Sequence, residues 1–261
     1  MSSPIDQLID AWRTVDVCSR PIALRADLPL VADARHSFIF ASYDEWLAGG
    51  GLEKAKNPRF HLGLLPVPYI GDLKRATVFL LMLNPGFEPD DYFAESSMPS
   101  YRDAVIRNLR QEVHDCDYPF IYLDPRFAWH SAGKYWRARL EWLARDIMQE
   151  QGIGYFAALR DLSRRIACLQ LVPYHSSQFV FSDLDGLQSV GLVRSVVSQY
   201  LLPATRVGKM LIVATRRSLD WGLADSAVSR AVITYSGSET RAAYLSRESR
   251  GGAIIRHFLL G

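Results

Sequence analysis

Apolar residues along this 261-residue chain fall into two kinds of pattern. Four short stretches are almost continuously apolar: TVFLLML (77–83), RIACLQLV (165–172), KMLIVAT (209–215) and, more weakly, AVITY (231–235). Runs of this length without alternation are expected of strands buried on both faces, as in a parallel sheet. Between them, near 100–113, 133–150, 155–164 and 187–202, apolar residues recur at threes and fours, the spacing of one helix face. Strands alternating with helices predict a three-layer α/β/α fold with a mostly parallel central sheet of about four strands.

The N-terminal part reads differently. Ser3-Pro4 is a helix start, a capping hydroxyl followed by proline at the first turn, and Ile5, Leu8, Ile9 and Trp12 then share one face. Residues 20–75 are irregular, rich in proline and interrupted by Gly49-Gly50-Gly51. Residues 1–75 are therefore expected to form an extension packed on a core of residues 76–261. An aromatic-rich insertion interrupts that core at about 114–150, where YPFIYLDPRFAWHSAGKYW (118–136) either lines a crevice or caps the sheet.

Composition narrows the function classes. No segment approaches the roughly 20 apolar residues of a bilayer span, and MSSPIDQ is not a basic leader followed by an apolar stretch, so a cytoplasmic protein with no membrane partner is expected. Cys18, Cys116 and Cys168 are odd in number and far apart, which argues against a disulfide framework, a zinc site or an iron–sulfur cluster. They read as three buried thiols, and no metal or other cofactor is expected. Net charge is only +2, but from Leu187 onward there are 10 Lys and Arg against 4 Asp and Glu. Such a basic end could face phosphate if the fold gathers it on one side, which makes DNA or a nucleotide the expected partner.

In a parallel sheet of this kind, ligands bind beyond the carboxyl ends of the strands. Those ends carry Asn84-Pro85-Gly86, then Pro173-Tyr174-His175-Ser176-Ser177, then Thr215-Arg216-Arg217-Ser218, and all three sets are expected to converge on one crevice. Proline followed by glycine forces a rigid turn whose backbone can approach a ligand closely, and Asn84 offers both donors and an acceptor.

The stretch LLMLNPGFEPDDYF (80–93) resembles the first motif of the uracil-DNA glycosylase superfamily, most closely its mismatch-specific uracil/thymine branch, through Asn84-Pro85-Gly86. IACLQLVPYHS (166–176) is similar to the second core strand of that family, which in several branches carries an asparagine that reads the extruded pyrimidine, and Gln170 stands near that place. The resemblance covers roughly residues 76–235 and implies hydrolysis of the bond between a pyrimidine-type base and its sugar. Two departures accompany it. Met82 replaces the first glycine of the motif, and the closing His-Pro-Ser or Asn-Pro-Ser loop has its nearest counterpart in Tyr235-Ser236-Gly237-Ser238.

The chemistry assigns roles to these residues. Breaking an N-glycosidic bond builds positive charge on the sugar and negative charge on the base, so the site needs donors aimed at the base and a positioned water. A carboxamide has no useful basicity, so Asn84 can only orient that water, and Asp91, or Asp90 beside it, is the nearest carboxylate able to take a proton. Phe87, Tyr92 or Phe93 could stack on an extruded base, with Gln170 and Ser176 as polar contacts. His175 could donate to the leaving base, or serve with Ser176 or Ser177 in a hydrolase site, although no Gly-x-Ser-x-Gly elbow is present. Arg216 and Arg217 leave their strand together, where a helix N-terminus would favour an anion between them, and Ser236 and Ser238 complete the candidate set. A non-catalytic module of the same fold that binds nucleic acid or a modified nucleotide is the alternative.

Overall fold

The computed structural model describes residues 2–223, 230–235 and 245–261. The chain opens with α1 (Pro4–Arg13) and continues through α2 (Leu28–Val31), β1 (Ser37–Phe38), α3 (Tyr43–Ala48), α4 (Gly51–Lys54), β2 (Phe60–His61) and β3 (Tyr69–Ile70). The remainder alternates: β4 (Val78–Met82), α5 (Pro89–Ser97), α6 (Pro99–Arg110), α7 (Ser131–Gln151), α8 (Tyr155–Arg165), β5 (Ile166–Gln170), α9 (Gln188–Val196), α10 (Leu202–Arg206), β6 (Leu211–Ala214), β7 (Val232–Thr234) and α11 (Arg250–Leu260).

The four apolar runs are β4, β5, β6 and β7, and they lie in one five-stranded sheet of order β3-β5-β4-β6-β7. The β4–β6 and β6–β7 pairs are parallel. Every residue of β5 and β6 is buried, as are the first four of β4, which is why their sequences are continuous rather than alternating. The fifth strand, β3, lies in the stretch expected to be irregular. Gln170 donates its backbone N–H to Pro68 O and Val67 donates to Pro173 O, the descending order of an antiparallel pairing. The fold is thus α/β, with helices accompanying a mostly parallel sheet. The chain steps from β4 outward to β5, then back across to β6 and on to β7, so its direction of winding reverses between β4 and β6.

The chain divides into two compact units. The first comprises Met1–Tyr69, Leu83–Glu112 and Gln170–Val196, and the second comprises Ile70–Met82, Val113–Leu169 and Val197–Gly261. Within the first, Ser3 Oγ accepts from Asp6 N–H at 3.2 Å and caps α1. Ile5, Leu8, Ile9 and Trp12 are all buried, and α1 packs against α6 and α9. Each of those side chains contributes about 1.5–3 kcal/mol relative to exposure. The segment expected as one helix over 187–202 is α9, a π turn at Val197–Leu201, and α10. Pro203 has no N–H to give to the preceding turn, and the bonding pattern loosens there.

Within the second unit, α11 docks on α7, where the buried Asp146 receives both Arg247 and Arg256. Arg250 donates to Thr234 O, Arg217 pairs with Asp220, and in the first unit Arg194 pairs with Asp185. Among the described residues, five of the basic C-terminal set, Arg194, Arg217, Arg247, Arg250 and Arg256, therefore already have partners within the protein. Among the thiols only Cys168 is buried. Cys116 is half-buried, and Cys18 is exposed because it sits in the bends after α1, correcting the expectation of three buried thiols. Among the described residues no helix is long and apolar enough to cross a membrane.

Candidate functional site

At the end of β4 the chain leaves the sheet through Leu83, Asn84, Pro85 and Gly86. Gly86 has φ +80°, a left-handed conformation that disfavours a side chain, and a Cβ placed there would meet nothing within 4 Å. The glycine is required by the backbone, and the space in front of it is open. Asn84 Nδ2 donates to Ser176 O at 3.2 Å and to Ser176 Oγ at 3.1 Å, joining the loops that follow β4 and β5. The Ser176 carbonyl can only accept, so the amide orientation is fixed by chemistry as well as by distance. No described residue donates to Asn84 Oδ1, which leaves one acceptor at the loop.

His175 holds the same turn from behind. Its Nδ1 lies 3.0 Å from Gly86 O and its Nε2 lies 3.2 Å from Leu65 O. Two carbonyl oxygens facing two ring nitrogens are both satisfied only when both nitrogens carry protons, so the geometry selects the imidazolium. Asp91 Oδ2, 3.9 Å from Nδ1, supplies the counter-charge, and the two side chains are 5% and 7% exposed. That same Oδ2 accepts from Glu88 N–H at 2.7 Å. Asp91 is the third residue of α5, a helix that starts with Pro89 and places acids in its first turn.

The sequence singled out neither His61 nor Leu65, because residues 20–75 carry no periodic signal. His61 stacks on Phe87 with ring centroids 3.6 Å apart, and its Nδ1 lies 3.4 Å from Tyr92 Oη. Burial, reinforced by the positive charge of His175 and opposed by Asp91, holds the His61 imidazole down at about 3. The ring is neutral, and its Nε2 is buried without a hydrogen-bond partner. Trp46 closes the group, stacked on Tyr92 at 5.8 Å and edge-on to Phe87 at 6.0 Å. Phe87 and Tyr92 are thus buried members of an aromatic cluster and present no free face for stacking, whereas Phe93 is exposed and packs edge-on against Tyr43.

The remaining candidates are distributed. Gln170 is buried, and its Oε1 has no hydrogen-bond partner, an arrangement that costs about 1–3 kcal/mol when nothing fills it. Ser177 Oγ donates to Asn57 O at 2.8 Å. Both His175 ring nitrogens already face carbonyls, so neither is placed as the base for a serine nucleophile. Arg216 and Arg217 belong to the second unit, in bends and turns over 216–222 instead of at a helix start, and Arg217 has φ +52° with its guanidinium on Asp220. Ser236 and Ser238 lie outside the described residues.

Asn84, Pro85, Gly86, Phe87, Asp91, Tyr92, Gln170, His175 and Ser176 therefore all fall in the first unit. Hydrogen bonds, an ion pair and ring contacts tie most of them into one assembly around the turn at Gly86. Comparison of the chain with models of protein families, with curated proteins and with solved structures finds no match.

Proposed function

We propose that the chain is a uracil-DNA glycosylase-like N-glycosidase, hydrolysing the bond between a pyrimidine-type base and its sugar in DNA or a nucleotide. The observation that carries this reading is the Asn84 carboxamide, anchored through Nδ2 by Ser176 while Oδ1 receives no donor from the described residues. A fixed carbonyl oxygen can hold a water in line with an anomeric carbon without taking its proton. Gly86, with nothing where a side chain would be, lets a planar heterocycle approach the backbone. His175 and Asp91 act here by positioning the turn, since both are buried and bonded to it.

That same engagement of His175 and Asp91 supports the second reading, a binding module without catalysis, because it leaves neither group open for acid–base work. One assay separates the two. Purified protein is incubated with single- and double-stranded oligonucleotides carrying uracil or other altered bases, and released base and alkali-labile sites are measured. Release that disappears in Asn84→Ala supports the N-glycosidase. Salt-sensitive binding without release supports the module.

A further inference from the structure

A cavity in the first unit, about 430 Å³, is lined by Arg20, Arg102, Glu95, Ser42, Ser96 and Tyr92 among others. Its polar groups are arranged in an unusual way. Arg20 is tethered by backbone carbonyls alone, Nε to Gly63 O and one terminal nitrogen to Cys18 O, both at 3.2 Å. Among the described residues it has no carboxylate partner. Arg102 is likewise held by Val17 O at 2.7 Å, with a long 3.5 Å contact to Glu95. Each guanidinium has five N–H donors, so most of them remain unfilled. Ser42 Oγ and Ser96 Oγ accept from the backbone N–H groups of Glu45 and Tyr43. Neither hydroxyl donates to a described residue, which leaves both protons available. The single carboxyl group, Glu95, directs both oxygens at Leu65 N–H, 3.0 and 3.1 Å away, and its side chain is 7% exposed. Burial pushes that carboxyl up to about 8, against the pull of Leu65 N–H and Arg102, so it is uncharged at neutral pH.

The wall therefore offers donors and positive charge, and its one carboxyl group is already engaged by Leu65 N–H. Matching chemistry is an acceptor-only, multiply charged group small enough to meet two guanidinium forks and two hydroxyls at once. We propose that this cavity is a binding site for a phosphate monoester group, with Arg20 and Arg102 as its charged clamp and Ser42 and Ser96 as hydroxyl donors. Asn84, Pro85 and Gly86 do not line this cavity, and the proposal does not depend on the N-glycosidase reading.

The test is titration calorimetry on the full chain with inorganic phosphate, a deoxynucleoside 5′-monophosphate and a 5′-phosphorylated oligonucleotide. Sodium chloride and the unphosphorylated nucleoside and oligonucleotide serve as controls. Binding of at least one phosphorylated probe, absent from its control, is expected, and the tightest of the three identifies the source of the phosphate. Arg20→Gln is expected to weaken it by about tenfold or more, and Arg20→Lys by less, because the charge survives while the fork is lost. Arg59→Gln, at a different cavity where its guanidinium lies 5.1 Å from the centre of the Phe38 ring, is expected to bind as the wild type does. Absence of binding to the wild type at about 10 mM of every phosphorylated probe overturns the proposal, as does equal binding by Arg20→Gln.

Discussion

His175 Nε2 lies 3.2 Å from the carbonyl oxygen of Leu65, a residue 110 positions earlier in the chain. With Nδ1 on Gly86 O, the ring bridges the N-terminal segment and the turn that carries Asn84. His175→Phe would leave the buried Leu65 carbonyl and the half-buried Gly86 carbonyl without this donor, and Asp91 without its counter-charge. The expected loss is about 3–5 kcal/mol in urea denaturation, the range for breaking a buried pair from one side. His175→Gln, which can still donate to one carbonyl, should recover part of it. A loss under about 1 kcal/mol in the Phe variant would show that the bridge is not what holds the turn.

Two buried titratable groups of the first unit, Glu95 and His61, give stability opposite dependences on pH. Glu95 has its carboxyl raised from 4.5 to about 8, so between those values the folded chain holds a proton that the unfolded chain has released. Stability contributed by Glu95 is therefore complete below about 4.5 and is lost as pH rises toward 8, at up to about 1.4 kcal/mol per pH unit. His61, lowered from 6.5 to about 3, acts the other way: its contribution is complete above 6.5 and declines as pH falls toward 3. Glu95→Gln should flatten the alkaline decline between about pH 5 and about pH 8, measured by denaturation at each end. An unchanged slope would contradict the burial of a neutral carboxyl.

Two glycines should respond to alanine for different reasons. At Gly86 nothing occupies the position of a Cβ, so Gly86→Ala meets only the strain of φ +80°, about 1–2 kcal/mol. At Gly63 a Cβ would run into the backbone of Phe40, including its carbonyl oxygen, so Gly63→Ala must displace a main chain and should destabilise by more. Melting temperatures of the two variants check the order, and a Gly86→Ala variant less stable than Gly63→Ala would reverse it.

The sequence revealed the sheet better than it revealed the site. β4, β5, β6 and β7 were readable because burial on both faces writes itself as an unbroken apolar run, and α1 because Ser3-Pro4 and its apolar face repeat a local rule. β3 was not readable, since two residues, Tyr69 and Ile70, beside prolines carry no periodic signal. The start of α5 was present as Pro89 followed by acids but its polarity hid the helix, and nothing local showed that Asp91 is buried against His175. Asn84, Gly86 and Ser176 were readable as polar strand-end positions, and a hydrogen bond joins Asn84 to Ser176 across 92 positions. His61, Leu65 and Glu95 depend on long-range packing of residues 20–75, which no local pattern records.

The most direct measurement is the single-turnover rate of base release by Asn84→Ala and Ser176→Ala beside the wild type, with oligonucleotide affinity determined for each. The account predicts a loss of about 10²–10³ in rate for Asn84→Ala with affinity nearly unchanged. A smaller loss is predicted for Ser176→Ala, which keeps the backbone carbonyl that anchors Nδ2. Release by Asn84→Ala at the wild-type rate, or no release by the wild type on any substrate tested, would contradict it.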